Sequence, residues 1–171
     1  MTIVTLYATP QDRRIATLAS LAIAIHVVES ALPSPLPGVK PGLANVVTLI
    51  ALKRWGWRTA VWVSALRVVV GSLVTGSFLT PGFILSGAGA IIALAALGVA
   101  HRMPDIGVIG LSVVAALAHM AGQFGVVYVW LIPHPGMWHL LPLLMSAALL
   151  FGLVSGRISA ILLRRIVVPP L

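Results

Sequence analysis

Gly82-Phe-Ile-Leu-Ser-Gly-Ala-Gly-Ala-Ile-Ile-Ala-Leu-Ala-Ala-Leu-Gly-Val-Ala100 holds no charged residue, and His101-Arg102 closes it. As a helix rising 1.5 Å per residue it covers about 28 Å, close to the ~30 Å hydrocarbon thickness of a bilayer. The rest of the chain reads the same way. Of 171 residues, 60% are hydrophobic and 8% are charged, whereas soluble domains carry about 25% charged residues. Mean hydropathy is +1.10. Lipid is therefore the expected solvent, and no polar stretch is long enough to build a separate soluble domain. Further apolar runs occupy residues 14–33, 42–53, 58–79, 106–132 and 138–163. The run over 42–53 is too short for a comfortable span. The expectation is an all-α, polytopic membrane protein, a bundle of six transmembrane helices forming one domain over 1–171. No cleavable signal peptide is expected, since the first apolar run lacks a cleavage site.

Charge placement supplies the topology. The net charge of +8 comes from 11 Lys and Arg against 3 acids. In a soluble protein this excess points to nucleic acid; here the basic residues flank apolar runs, so anionic headgroups are the expected partner and nucleic acid is not. With six spans, Arg13, Arg14, Lys53, Arg54, Arg58, Arg102, Arg157, Arg164 and Arg165 all fall on one side, and Lys40 falls on the other. The positive-inside rule then places both termini in the cytoplasm of a bacterial inner membrane. Trp55, Trp57, Tyr128, Trp130 and Trp138 sit near span ends, where interfacial aromatics belong. The absence of cysteine excludes disulfides, thiolate metal sites and cysteine nucleophiles.

Helices in lipid pack through small residues at four-residue spacing. Ala16, Ser20 and Ala24 keep that rhythm in the first run, Ser86-Gly-Ala-Gly-Ala90 in the fourth, and Gly152 and Gly156 in the sixth. Two uses stay open for such stripes: packing within the bundle, or docking against another membrane subunit.

Polar side chains at membrane depth are costly, so they line cavities or pair with one another. His26 and Glu29 share a face of the first run. Asn45 begins the second. Arg67 lies nine residues after Arg58, about 13 Å deeper along a helix. Ser86 stands one turn into the fourth run, and His119 and Gln123 are four apart on the fifth. All lie between the midplane and the outer surface, which leads to the expectation of one outward-facing pocket. The alternative is a set of structural pairs, such as Glu29 with Arg67. The segment 33–42, rich in proline and closed by Gly42, would lie over the pocket as a stiff lid. His26, Glu29 and His119 are metal-ligand types on separate helices, a coincidence common by chance; no metal and no cofactor is expected.

At these residues the sequence resembles a known family. The run Glu29-Ser-Ala-Leu-Pro-Ser-Pro-Leu-Pro-Gly-Val-Lys-Pro-Gly-Leu-Ala-Asn45 is similar to the signature of the Gx transporter family, also described as heptaprenyl diphosphate synthase component I. Arg67, Phe83-Ile-Leu-Ser-Gly-Ala-Gly89 and Ala118-His-Met-Ala-Gly-Gln123 resemble its later blocks. The likeness covers roughly residues 14–160. The chain departs from the pattern at Pro41, where Leu is usual, and at Met120, where Asn is usual; the second change removes a polar group from the expected pocket. The family in turn resembles the substrate-binding S components of energy-coupling factor (ECF) transporters. That likeness implies six helices, cytoplasmic termini and an outward site under the first loop for a vitamin-like or other small ligand. The residues expected to bind ligand are the polar groups already named, Glu29, Asn45, Arg67, Ser86, His119 and Gln123, with Lys40 of the loop, and the likeness implies as partners a T component and two cytoplasmic ATPases. Ala16, Ser20 and Ala24 would then contact the T component.

These readings lead to a ligand-capturing transporter subunit. No G-x-x-x-x-G-K-[ST] motif occurs, so ATP energy must come from another chain. Enzymatic function is not expected. Prenyl chain elongation needs Mg²⁺ on clustered carboxylates, and Asp12, Glu29 and Asp105 lie on both faces of the membrane. An accessory membrane subunit in isoprenoid metabolism, or a structural partner in a membrane complex, are the alternatives. Arg67→Ala and Glu29→Ala are both expected to impair ligand binding more than folding.

Overall fold

A computed structural model describes residues 7–31 and 42–165. The described chain is helical: α1 (Pro10–Ala31), α2 (Ala44–Trp55), α3 (Trp57–Val74), α4 (Pro81–Ala100), α5 (Val108–Val126) and α6 (Leu141–Arg165). The last turn of α5 widens into a π-helical segment, Val127–Leu131, and a 3₁₀ turn, Pro135–His139, leads into α6. Five of these segments are long and apolar enough to cross a membrane, against the six spans expected. The exception is α2, whose 12 residues reach about 18 Å.

Burial explains α2. Eight of its residues are buried, Ala44 and the run Val46–Leu52. A helix apolar on all sides belongs inside a bundle rather than on its rim. Leu49 and Leu52 pack with Ala22 of α1, Ala60 and Val63 of α3, Leu97 of α4, and Leu111 and Ala115 of α5 in one core cluster. Around this cluster the usual soluble pattern is inverted. On α4 the buried positions are Gly89, Ala90, Ala93, Leu97 and Ala100. The large side chains Ile91, Ile92 and Val99 face outward. Small residues inside and bulky aliphatics outside mark a multi-pass membrane protein, because lipid tails solvate the bulky groups and close packing selects the small ones.

Contacts fix how the helices alternate. Arg14 of α1 stacks over the Trp55 ring at the end of α2, 5.3 Å from its centroid. At the opposite end of both helices, Glu29 meets the start of α2. Gly98, near the end of α4, faces the Trp57 ring at the start of α3. A Cβ at Gly122 of α5 would stand 2.9 Å from the Ala88 carbonyl of α4. A Cβ at Gly156 of α6 would stand 2.9 Å from the Ile109 Cα of α5. Successive helices therefore run antiparallel, α2 included, and the described basic clusters gather at one end of the bundle.

Helix ends follow local chemistry. Thr9 caps α1: its N–H and hydroxyl donate to the Asp12 carboxylate at 2.9 and 2.7 Å, and the Asp12 N–H donates back to the Thr9 hydroxyl at 3.2 Å. This cap starts α1 four residues earlier than the apolar run does. Helix α3 ends at Val74, short of the expected residue 79, because Gly76 turns the chain at φ 68°. Its N–H bonds the Leu73 carbonyl and the Ser77 N–H bonds the Ser72 carbonyl, a Schellman stop. In the π segment the Ile132 N–H reaches the Val127 carbonyl at 2.7 Å, and Pro133 follows. Tyr128 there packs with Phe124 and Trp138, tying the end of α5 to the turn before α6.

Candidate functional site

A cavity of about 220 Å³ lies inside the bundle. Six of the seven residues expected to bind ligand line it: Glu29 from α1, Asn45 from α2, Arg67 from α3, Ser86 from α4, and His119 and Gln123 from α5. The seventh, Lys40, and most of the expected lid over 33–42 lie outside the described residues; Gly42, at its end, lines the cavity.

Local packing aims each group inward. Glu29 is 4% exposed, and its carboxylate accepts hydrogen bonds from the Leu43 N–H at 2.6 Å and the Ala44 N–H at 3.4 Å. These are free amides at the start of α2, where the helix dipole favours an anion. The expected Glu29–Arg67 pair takes a different form. The two charges share the cavity and act on one another electrostatically, yet among the described residues Arg67 makes no hydrogen bond or ion pair within 4.0 Å. The reason is competition, since two preformed amide donors hold the carboxylate. Glu29 is thereby a tie between helices as well as a cavity wall.

Two glycines make room for the histidines. A Cβ at Gly71 would stand 2.9 Å from His26 Cδ2. A Cβ at Gly89 would stand 2.7 Å from His119 Cε1. The His26, Glu29 and His119 combination does not form a metal centre: among the described residues no three His, Cys, Asp or Glu side chains are placed to share an ion.

The cavity also runs beyond the residues expected to line it. It continues between α5 and α6, lined there by Ser112, Ala116, Met120, Ala148, Gly152 and Ser155. On α5 the lining runs from Ser112 to Gln123, about 16 Å along the helix. This corrects the expectation of a pocket confined to the outer half. A Cβ at Gly152 would stand 3.1 Å from the Val113 Cα and 3.0 Å from the Ala116 Cβ, so Gly152 and Gly156 serve packing within the bundle. Ser155, one turn beyond Gly152, does not stand out in sequence among so many small residues. The Ser112 hydroxyl is buried with no hydrogen-bond partner among the described residues.

Ala16, Ser20 and Ala24 are elsewhere, exposed along the outer face of α1, while Ile15, Ala19 and Ala22 of the same helix are buried. The Ser20 hydroxyl is spent on the Ala16 carbonyl at 2.8 Å.

Fold and site together define a helical membrane protein enclosing a small, mostly apolar cavity with a few converging polar groups. The chain belongs to the family described as heptaprenyl diphosphate synthase component I, whose sequence pattern matches residues 18–162. This is the family that the Glu29–Asn45 run resembles. No curated protein and no solved structure matches the chain.

Proposed function

We propose that this protein captures a small ligand in the cavity between its helices and serves as the substrate-binding membrane subunit of an importer. The observation that carries the reading is one cavity lined by polar side chains of every helix, from Glu29 on α1 to Ser155 on α6. Polar groups in hydrocarbon cost several kcal/mol unless they find partners. Gathering them around an open volume rather than in closed pairs is the arrangement of a binding site. The basic end of the bundle faces the cytoplasm of a bacterial inner membrane, and the opposite end, with Gly42 and Gly82 at the cavity, admits ligand. Helix α2 provides a sixth crossing, and both termini are cytoplasmic. The exposed small face of α1, Ala16, Ser20 and Ala24, receives a T-component-like subunit, with ATPases of other chains supplying energy.

The family description supports a second reading, an accessory membrane subunit in prenyl diphosphate metabolism. Catalysis by this chain itself is disfavoured by its three acids. Asp12 and Asp105 are exposed near the basic end, while Glu29 is held at the other. Native mass spectrometry of the protein taken from its own membrane separates the readings. Capture predicts a retained small molecule that is lost from Arg67→Gln. Retention of a synthase subunit with no small molecule would replace it with the accessory role.

A further inference from the structure

We infer that the captured ligand is a compact free anion, its carboxylate or phosphate oxygens seated on Arg67 and its neutral, slender body running into the slot between α5 and α6; this rests on the capture reading above. Three observations lead there. Arg67 is 8% exposed and lines the cavity, with no hydrogen bond or ion pair among the described residues. A buried guanidinium left in that state costs several kcal/mol, so its retention calls for an occupant of opposite charge. The nearby carboxylate is already committed, since Glu29 accepts the Leu43 and Ala44 amides at the head of α2. A planar guanidinium with five donors matches two oxygens of a carboxylate or phosphate.

The far end of the cavity differs in kind. Ser112 and Ser155 offer hydroxyls among Ala116, Ala148 and Gly152, with no charged group. The Ser112 hydroxyl is 1% exposed as a residue and unpartnered among the described residues. Its oxygen is sealed by its neighbours, so the Ser155 hydroxyl at the same end is the group left to hydrogen-bond one neutral polar atom of the ligand body. A volume of about 220 Å³ is below the range of drug-sized pockets, about 300–1,000 Å³, and fits a compact ligand better than a bulky polyanion.

The experiment uses the full chain in nanodiscs of phosphatidylcholine, which has no net charge, with benzoate as the anionic probe and benzamide as its neutral isostere. Benzoate is expected to raise the melting temperature saturably and benzamide to leave it unchanged. Arg67→Gln is expected to weaken the apparent benzoate affinity about tenfold or more, the worth of a charge-assisted hydrogen bond. The empty Arg67→Gln protein should melt no lower than wild type, because it loses an unpaired buried charge. Ser155→Ala should reduce the fraction of natively retained molecule without lowering the melting temperature of the ligand-free protein. Equal shifts with benzoate and benzamide would overturn the anion assignment, as would an empty Arg67→Gln protein that melts well below wild type. A shift seen only in phosphatidylglycerol nanodiscs would assign Arg67 to a lipid headgroup and overturn the free-anion proposal. A retained neutral molecule would overturn it while leaving capture standing; no retained molecule and no shift with either probe would end both.

Discussion

At the scale of residues, the two buried charges carry different duties. Glu29 holds two amides of α2, so Glu29→Gln removes the charge from both hydrogen bonds. The variant is expected to lose about 1–3 kcal/mol of stability, read as a lower melting temperature. Glu29→Ala therefore tests folding as much as binding, whereas Arg67→Ala, which breaks no hydrogen bond among the described residues, is the cleaner test of binding. His119 gives a second test. Gly89→Ala places a methyl 2.7 Å from the imidazole and forces it into the cavity. Gly89→Ala should lower ligand retention and stability together. The double variant Gly89→Ala/His119→Ala should recover part of the stability, a coupling of about 0.5–3 kcal/mol in a double-mutant cycle. Additive losses would place the clash elsewhere.

At the scale of elements, backbone proximity governs tolerance. Gly156 on α6 sits against Ile109 and Ser112 of α5, with contacts at or below 3.0 Å for any added Cβ. Gly156→Leu is expected to cost about 1–3 kcal/mol or more, through overpacking that neither helix can relieve without separating. The exposed stripe on α1 should behave in the opposite way. Ser20→Leu is expected to leave the melting temperature of the isolated protein within error and to abolish co-purification of a membrane partner. A fall in stability of the isolated chain would make the stripe part of this bundle. Helix α2 shows why length alone misleads. Its 12 residues are too few for a lipid-exposed span, yet they form a stable helix among longer ones, where Val46 to Leu52 are all buried.

At the scale of the whole molecule, the testable quantity is orientation. The natural sequence has no cysteine, so single cysteines report topology without background. Asp105→Cys, in the exposed connection at the basic end, should react with an impermeant maleimide only after cells are opened. Pro135→Cys, at the opposite end, should react in intact cells. The reverse pattern would invert the protein and close the cavity to the outside. Ligand removal offers a check at the same scale: stripping the retained molecule should lower the melting temperature, since a ligand that binds only the folded state stabilises it by mass action.

The sequence by itself determined that this chain lives in lipid, that it is helical, and roughly where each helix lies. Those properties follow from composition and run length, which act locally. It also named the cavity residues that are polar against an apolar background, because Glu29, Arg67, His119 and Gln123 stand out at membrane depth. Tertiary structure alone decided which of them pair. Glu29 meets the amides of α2 rather than Arg67 because the fold brings the free end of one helix to the side chain of another. Ser112 and Ser155 became part of the cavity for a similar reason. A serine in a transmembrane helix reads as packing until the neighbouring helix shows whether its hydroxyl faces protein or open volume.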